Sequence, residues 1–526
     1  MKTVTNTHKC FLLLITLGII SFYSCTEDFS DNPIGNSPPD TGLFLFPDST
    51  VSQQPSRLRV SWWGDDPDGT IIGYYIKWEG IDTKWSFTTS NDSVFSLPIG
   101  TRDTTFNFLV SAIDAQGNGK YDNQVSQNEI DYGSEPFIDK NKNGIYDTGE
   151  FYYDLGLIDP TPASTLFPIK NTPPILNWDE LSFLPDTSFP VMTIRWNASD
   201  LDGDESITSI KLAINDTTNF VSLNGTVRLV TLRVVNLNSG NPEMEILING
   251  DPLNINNVKL QGLKLDDNNI IYLKAEDLSG SISSVLKLPE TSKTWYVKKP
   301  KGQVLIFDDY KNSSTDLQAS QFYNQVFSTI GGGSLAGKFD VFDLVKNQLP
   351  FESVTILETL KLFKYIFWYS ASNPSLGLLN ISTEKFKQTG GKIAFSMTFQ
   401  DSSANFSFDL SSLQGFLPID NVSKVLSSGF LLLGANALPS TPNDFPPLKT
   451  SVTISFVRSF TPNNIVTEKI YELSDRNDIS FGNIGFRTTA KDLFFIGLPL
   501  HQSNANAGSV NTLMEKIFFE DFGVIP

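Results

Sequence analysis

Apolar and polar residues alternate along much of the first 300 positions. Leu58, Val60 and Trp62 occupy every second place, as do Ile72, Tyr74, Ile76 and Trp78, and then Phe106, Phe108, Val110 and Ala112. A period of two, broken by turn residues, predicts half-buried antiparallel strands. The pattern returns at Met192, Ile194 and Trp196, at Ile210, Leu212 and Ile214, and at Ile271, Leu273 and Ala275. After Lys298-Lys299-Pro300-Lys301-Gly302 it changes. Val304-Leu305-Ile306-Phe307 is an unbroken apolar run, as in a parallel strand buried on both faces. Ala319, Phe322, Tyr323, Val326 and Phe327 then follow helical spacing behind a Thr315 or Asp316 cap, and Gly331 ends the helix. Strand 339–342, helix 353–362, strand 365–369, helix 383–388 and strand 392–395 continue the alternation. Residues 400–485, rich in Ser, Asn and Pro, read as a β-prone insertion. Strand 493–500 and helix 510–519 close the chain.

The punctuation of the β-rich part also repeats. Trp62 with Asp66-Pro67-Asp68-Gly69 answers Trp196 with Asp200-Leu201-Asp202-Gly203. Ala112-Ile113-Asp114 with Gly117 answers Ala275-Glu276-Asp277 with Gly280. Two copies of one sandwich account for this. They resemble fibronectin type III and related immunoglobulin-like modules of bacterial surface proteins, over roughly 44–127 and 171–298, with a buried Trp under the sheets. The expected fold is therefore multidomain: two all-β immunoglobulin-like sandwiches, then an α/β flavodoxin-like domain with a mostly parallel sheet at 302–526.

That last domain resembles the class I glutamine amidotransferase-like fold over about 302–400 and 486–526. The likeness rests on Val304-Leu305-Ile306-Phe307-Asp308-Asp309, on Tyr365-Ile366-Phe367-Trp368-Tyr369-Ser370, and on Phe494-Phe495-Ile496-Gly497-Leu498-Pro499-Leu500. The resemblance implies, for enzymes of the group, a cysteine after a central strand and a late His-x-Glu pair. This chain has no cysteine beyond Cys25, and two residues after His501 stands Ser503. The expectation is a domain without the family's chemistry. The alternative is a serine hydrolase using Ser370 or Ser372 with His501, near Asp308 and Asp309, since all five follow predicted strands. Tyr369-Ser370-Ala371-Ser372-Asn373 lacks the glycines of a nucleophile elbow.

Between the two β-rich modules, in the connection 128–170, lies Asp139-Lys140-Asn141-Lys142-Asn143-Gly144-Ile145-Tyr146-Asp147-Thr148-Gly149-Glu150. It matches the twelve-position calcium loop. Asp139, Asn141, Asn143 and Asp147 offer side-chain oxygens, Ile145 a carbonyl, and Glu150 a closing carboxylate. Gly144 permits the sharp turn. Pro136 forbids a helix directly before it, so a structural Ca²⁺ staple is expected rather than a helix–loop–helix sensor. Only three ligands are carboxylates, which suits millimolar extracellular calcium. The Asp-x-Asp-Gly turns offer a second cation question, Asp66, Asp68 and Asp114 in one module and Asp200, Asp202 and Asp277 in the other. Ordinary turn chemistry, which favours Asp and Gly, is the better explanation of both.

Composition narrows the setting. A formal charge of −19 argues against nucleic acid, which calls for clustered Lys and Arg. Lys2, His8 and Lys9 precede a short apolar run, Phe11 to Ile20, too short to span a bilayer. The run ends at Ser21-Phe22-Tyr23-Ser24-Cys25, which resembles a lipoprotein signal, with residues 1–24 removed and Cys25 acylated. The expected location is then the outer membrane, through a lipid anchor at Cys25 and a flexible tether over 25–43. Loss of the two lysines takes the charge from −19 to −21. The mature chain keeps no disulfide, and with one histidine it has no usual zinc ligand set. The expected function is a non-catalytic binding or scaffolding module at the cell surface, with an envelope protein or glycan as partner. An accessory role in secretion or polysaccharide uptake is a further reading.

Overall fold

The computed structural model describes residues 35–44, 56–98, 104–290, 293–311, 314–403, 408–424, 430–431, 434–440, 444–475 and 479–525. Cys25 and its signal segment lie outside the described residues. The chain is mostly β with few helices, and it divides into two compact units, Met1–Asn171 and Thr172–Pro526.

The first unit is a two-sheet sandwich. Strands Asp40–Leu43, Arg57–Asp65 and Asp92–Ser96 form one sheet, with Arg57–Asp65 in the middle. The second sheet runs Ser86–Thr88, Ile71–Glu79, Thr104–Asp114, Ala163–Ile169. Sequential antiparallel strands that switch sheets in this way are the arrangement of immunoglobulin-like sandwiches. Alternation places Leu58, Val60, Trp62, Phe108, Val110 and Ala112 between the sheets, with Trp62 fully buried. The module boundary expected at 127 is not where the sandwich ends. Ala163–Ile169 pairs with Thr104–Asp114 from Thr104↔Ile169 to Val110↔Ala163. The stretch carrying the twelve-residue loop is thus an insertion before the sandwich's last strand, not a connection between modules. The first strand likewise begins at Asp40, inside the expected tether.

The second unit opens with a sandwich of the same plan. One sheet is ordered Ile175–Trp178, Val191–Ser199, Leu229–Val235, Glu243–Ile248; the other Val221–Asn224, Ile207–Ile214, Ile271–Asp277, Leu286–Leu288. Trp196 takes the place of Trp62 and is equally buried.

A nine-stranded sheet follows. Its first five strands are parallel and ordered Phe339–Asp343, Val304–Asp309, Tyr365–Ser370, Lys392–Ser396, Leu493–Ile496. Helices Asp316–Gly333, Glu352–Leu360 and Leu376–Gln388 link them, and every residue of Val304–Asp309 and Tyr365–Ser370 is buried. Continuous apolar runs need cover on both faces, and two separate cores supply it. Helix Asp316–Gly333 stops its regular course at Ile330, and Gly331 and Gly332 adopt left-handed φ of 59° and 65°. The β-prone insertion lengthens the same sheet: Ser480–Thr488, Thr467–Ser474, Asn436–Pro439 and Leu448–Lys449 continue it antiparallel.

Sandwich and sheet are welded within this unit. Arg233, on the sandwich, reaches Glu358, on helix Glu352–Leu360, at 2.8 Å, and Glu358 is 1% exposed. Thr355 donates to Thr193 at 2.9 Å, and Phe189 belongs to the core under that helix.

Candidate functional sites: the twelve-residue loop and the carboxyl edge of the parallel sheet

The twelve-residue loop stands on a short hairpin. Phe137 and Tyr152 form an antiparallel bridge, with Ile138 N–H to the Phe151 carbonyl at 2.8 Å and Tyr153 N–H to the Pro136 carbonyl at 2.9 Å. No helix flanks it. Asp139 accepts from the N–H of Asn143 (3.2 Å) and of Gly144 (2.7 Å), and Gly144 takes φ 79° to allow it. Asn141 Oδ1 accepts from Asn143 N–H at 3.1 Å, and Asn143 Oδ1 from Ile145 N–H at 2.8 Å. Both asparagine amides donate to Asp147 Oδ2, at 2.7 and 2.8 Å. Glu150 folds back onto the N–H groups of Lys140 (2.9 Å) and Asp147 (3.1 Å). All five oxygen-bearing side chains predicted from spacing are therefore turned into one loop. The Ile145 side chain is 68% exposed.

Sequence reading missed a second element of this insertion. Asn118-Gly119-Lys120-Tyr121-Asp122 repeats Asn143-Gly144-Ile145-Tyr146-Asp147. The bonds repeat as well. Asn118 Nδ2 donates to Asp122 at 2.6 Å, Gly119 N–H to Asp154 at 2.9 Å, and Asp122 N–H to Glu135 at 2.9 Å. Asp154 and Glu135 thus take the parts of Asp139 and Glu150, although they come from elsewhere in the insertion. The shared Asn-Gly-x-Tyr-Asp was the available signal; the distant carboxylates hid it. Among the described residues, no three Asp, Glu, His or Cys side chains are grouped closely enough to hold a metal ion unaided. A hard cation bound in the Asp139–Glu150 loop would have to draw on amide and carbonyl oxygens as well as carboxylates.

The carboxyl edge of the parallel strands gathers the other predicted residues. Asp308 and Asp309 end one strand and Ser370 ends its neighbour, paired Asp309↔Ser370. Ser370 is 1% exposed and its hydroxyl donates to the Asp309 carbonyl at 2.8 Å. Asp309 accepts from Ser375 N–H (2.6 Å) and Ser375 Oγ (2.8 Å), with Lys311 Nζ 3.4 Å away. Asp308 accepts from the Tyr369 hydroxyl and from Tyr310 N–H. Burial pushes its carboxyl up to about 7. His501 lies edge-on to Tyr310 and Tyr323, with Nδ1 3.3 Å from the Tyr323 hydroxyl; burial lowers it to about 4. Ser372 is half-buried, and its carbonyl accepts from Gln400 N–H at 2.7 Å. Ser370 and His501 make their hydrogen bonds to other partners, not to each other. Among the described residues no helix is long and apolar enough to cross a membrane.

No protein-family model matches the chain, and no curated protein does. Among solved structures it is similar to the fibronectin(III)-like modules of Clostridium thermocellum CbhA, with 10% identity over 49% of this chain and 94% of that one, TM-score 0.16. It is also similar to a two-domain fibronectin type III segment of chicken tenascin, with 10% identity over 48% and 97%, TM-score 0.19. The chicken interferon gamma receptor alpha chain gives 11% over 48% and 97%, TM-score 0.18. At these scores the immunoglobulin-like assignment rests on the strand pairings themselves.

Proposed function

We propose that this is an exported, lipid-anchored cell-envelope protein that binds or scaffolds without catalysing a reaction. The observation that carries the reading is the commitment of its two best chemical residues to packing: Ser370 Oγ donates to the Asp309 carbonyl, and His501 is sandwiched against Tyr310 and Tyr323. A nucleophile needs a base within hydrogen-bond reach; Ser370 Oγ is spent on the Asp309 carbonyl, and His501 meets the Tyr323 hydroxyl through Nδ1 while its Nε2 is buried without a hydrogen-bond partner. The C-terminal domain is read as amidotransferase-like and flavodoxin-like. In its favour, the parallel strands run in sequence order 2-1-3-4-5. The Asp139–Glu150 loop is read as a structural Ca²⁺ site, and Cys25 as the anchor to an outer membrane.

Treatment with a serine-reactive phosphonate is expected to leave the protein unlabelled, and His501→Ala to change nothing in that assay. Labelling that disappears in His501→Ala would make the domain a hydrolase. Fatty-acid labelling in the host is expected, and is lost in Cys25→Ala.

A further inference from the structure

Each sandwich has a polar corner of the same design. Each is entered through Asn-(Ser/Thr)-Pro-Pro, at Asn36-Ser37-Pro38-Pro39 and Asn171-Thr172-Pro173-Pro174. In each, the strand bearing the core Trp runs out into Asp-x-Asp-Gly, and the long central strand of the other sheet ends in an aspartate, Asp114 or Asp277. The joins are the same. Ser37 N–H donates to Asp68 at 3.0 Å, and Thr172 N–H to Asp202 at 2.7 Å. Asp68 N–H donates back to Asp66 at 3.3 Å, and Asp202 N–H to Asp200 at 2.9 Å.

What separates these corners from ordinary turns is oxygen left over. Asp200 is 8% exposed; its Oδ1 accepts from Asp202 N–H and from Thr172 Oγ1 (3.3 Å), while its Oδ2 is buried with no hydrogen-bond partner. Asp66 Oδ2, the equivalent atom, is buried and unpartnered too. So is Asn36 Oδ1, whose Nδ2 donates to Asp114 at 2.8 Å. Buried acceptors are nearly always satisfied, and a bare carboxylate oxygen is the costlier kind to leave. The same atom is left over in both modules. Burial raises the Asp200 carboxyl above the usual carboxylate range and the nearby Ser206 hydroxyl opposes this, yet neither Asp200 Oδ2 nor Ser206 Oγ makes a hydrogen bond of ordinary geometry. The neighbouring charges that act on Asp200, Asp202 and Asp277, are both of its own sign.

We propose that each corner is a site for a hard divalent cation, calcium above all, faced by Asp200 Oδ2 in the second sandwich and by Asp66 Oδ2 and Asn36 Oδ1 in the first. A cation removes the orphaned oxygen and the like-charge repulsion in one step. Carboxylates do not complete the shell, so amide, hydroxyl, carbonyl and water oxygens fill the six to eight places of calcium. The inference is independent of the Asp139–Glu150 loop.

The test is bound calcium per chain, by equilibrium dialysis and metal analysis of the full protein in a Glu150→Gln background that silences the loop. Two calcium ions are expected, one lost with Asp66→Asn and one with Asp200→Asn. In chelator both variants should melt no lower than their parent, because they shed an uncompensated buried charge, while their calcium-dependent rise disappears or halves. Stoichiometry unmoved by both substitutions would overturn the proposal. So would an equal fall in melting temperature with and without calcium, the sign of a purely hydrogen-bonded or water-filled corner. The two substitutions lie in separate units, so a folding failure in one leaves the other to decide.

Discussion

Tyr121 and Tyr146 stack with ring centroids 3.8 Å apart and planes 15° from parallel. Each is the fourth residue of an Asn-Gly-x-Tyr-Asp stretch, so the stack joins the twelve-residue loop to its partial repeat. Phe137 and Tyr152 close around the pair edge-on. A stacked pair is worth about 0.5–1.5 kcal/mol beyond burial. Tyr121→Ala touches none of the loop's five oxygen-bearing side chains. It is expected to raise the calcium concentration needed for half-saturation by several-fold, read by titration calorimetry. Unchanged affinity would mean that the loop is ordered without its neighbour.

Calcium itself should stabilise the protein by mass action. A ligand bound only by the folded form adds about 2.7 kcal/mol at a hundredfold excess over Kd. Thermal melts in millimolar calcium are therefore expected to exceed those in chelator, and Glu150→Gln to remove the loop's share of the gain. If calcium shifts nothing in the wild-type chain, the Asp139–Glu150 loop is a hydrogen-bonded turn held by its own asparagines.

Arg233 and Glu358 decide whether the second sandwich and the sheet domain melt together. Glu358 is 1% exposed and is answered by Arg233 and by Lys361 at 2.5 Å. Without Arg233, Glu358 keeps only Lys361 and Glu245 loses its ion-pair contact with Arg233, at about 1–3 kcal/mol for the weakened network. Arg233→Met is expected to lower the melting temperature of the unit by that measure. The wild-type unit should unfold in a single calorimetric transition; two transitions would show that the contact is incidental.

The carboxyl edge carries two opposed pH responses. Asp308 rises from 3.8 to about 7, first through burial, then through the charges of Asp343 and Asp316. Between those values the folded chain keeps a proton that the unfolded chain has released. The stability from this group is complete below 3.8 and is lost as pH rises through 7. His501 falls from 6.5 to about 4 by burial. Here the unfolded chain takes the proton, so its stability is complete above 6.5 and is lost as pH falls through 4. Each effect is on the order of 3–4 kcal/mol. Asp308→Asn is expected to be more stable than wild type at pH 8 and level with it at pH 4. His501→Gln should lose less stability than wild type between pH 6.5 and 4. Urea titrations across this range give the sign directly.

The parallel strands were legible because burial on both faces leaves runs such as Val304–Phe307 without polar interruption. The sandwich strands were legible because one buried face imposes a period of two on Leu58, Val60 and Trp62. The end of the first sandwich was not. Ala163–Ile169 is separated from its partner Thr104–Asp114 by almost fifty residues, and local pattern does not say which distant strand it joins. The insertion's strands in the third region were foreseen as β, but their membership in the nine-stranded sheet depends on long-range pairing. At the candidate site, the Asp139–Glu150 loop was readable because its oxygen-bearing side chains lie within twelve consecutive residues. Asp154 and Glu135, brought to Asn118–Asp122 from elsewhere, were not.

The twelve-residue loop belongs to a side branch whose two ends re-enter adjacent strands of one sheet, at Asp114 and Ala163. Bridging contacts such as Ile113↔Ile158 stitch the return path to the departing strand. The branch has a small core of its own, in which Val125, Tyr132, Leu155 and Ile158 meet Tyr75 and Ile113, apart from the core around Trp62. A cation bound in the branch would therefore be felt first in that small core, and would reach the strands that cover Trp62 only through Tyr75 and Ile113.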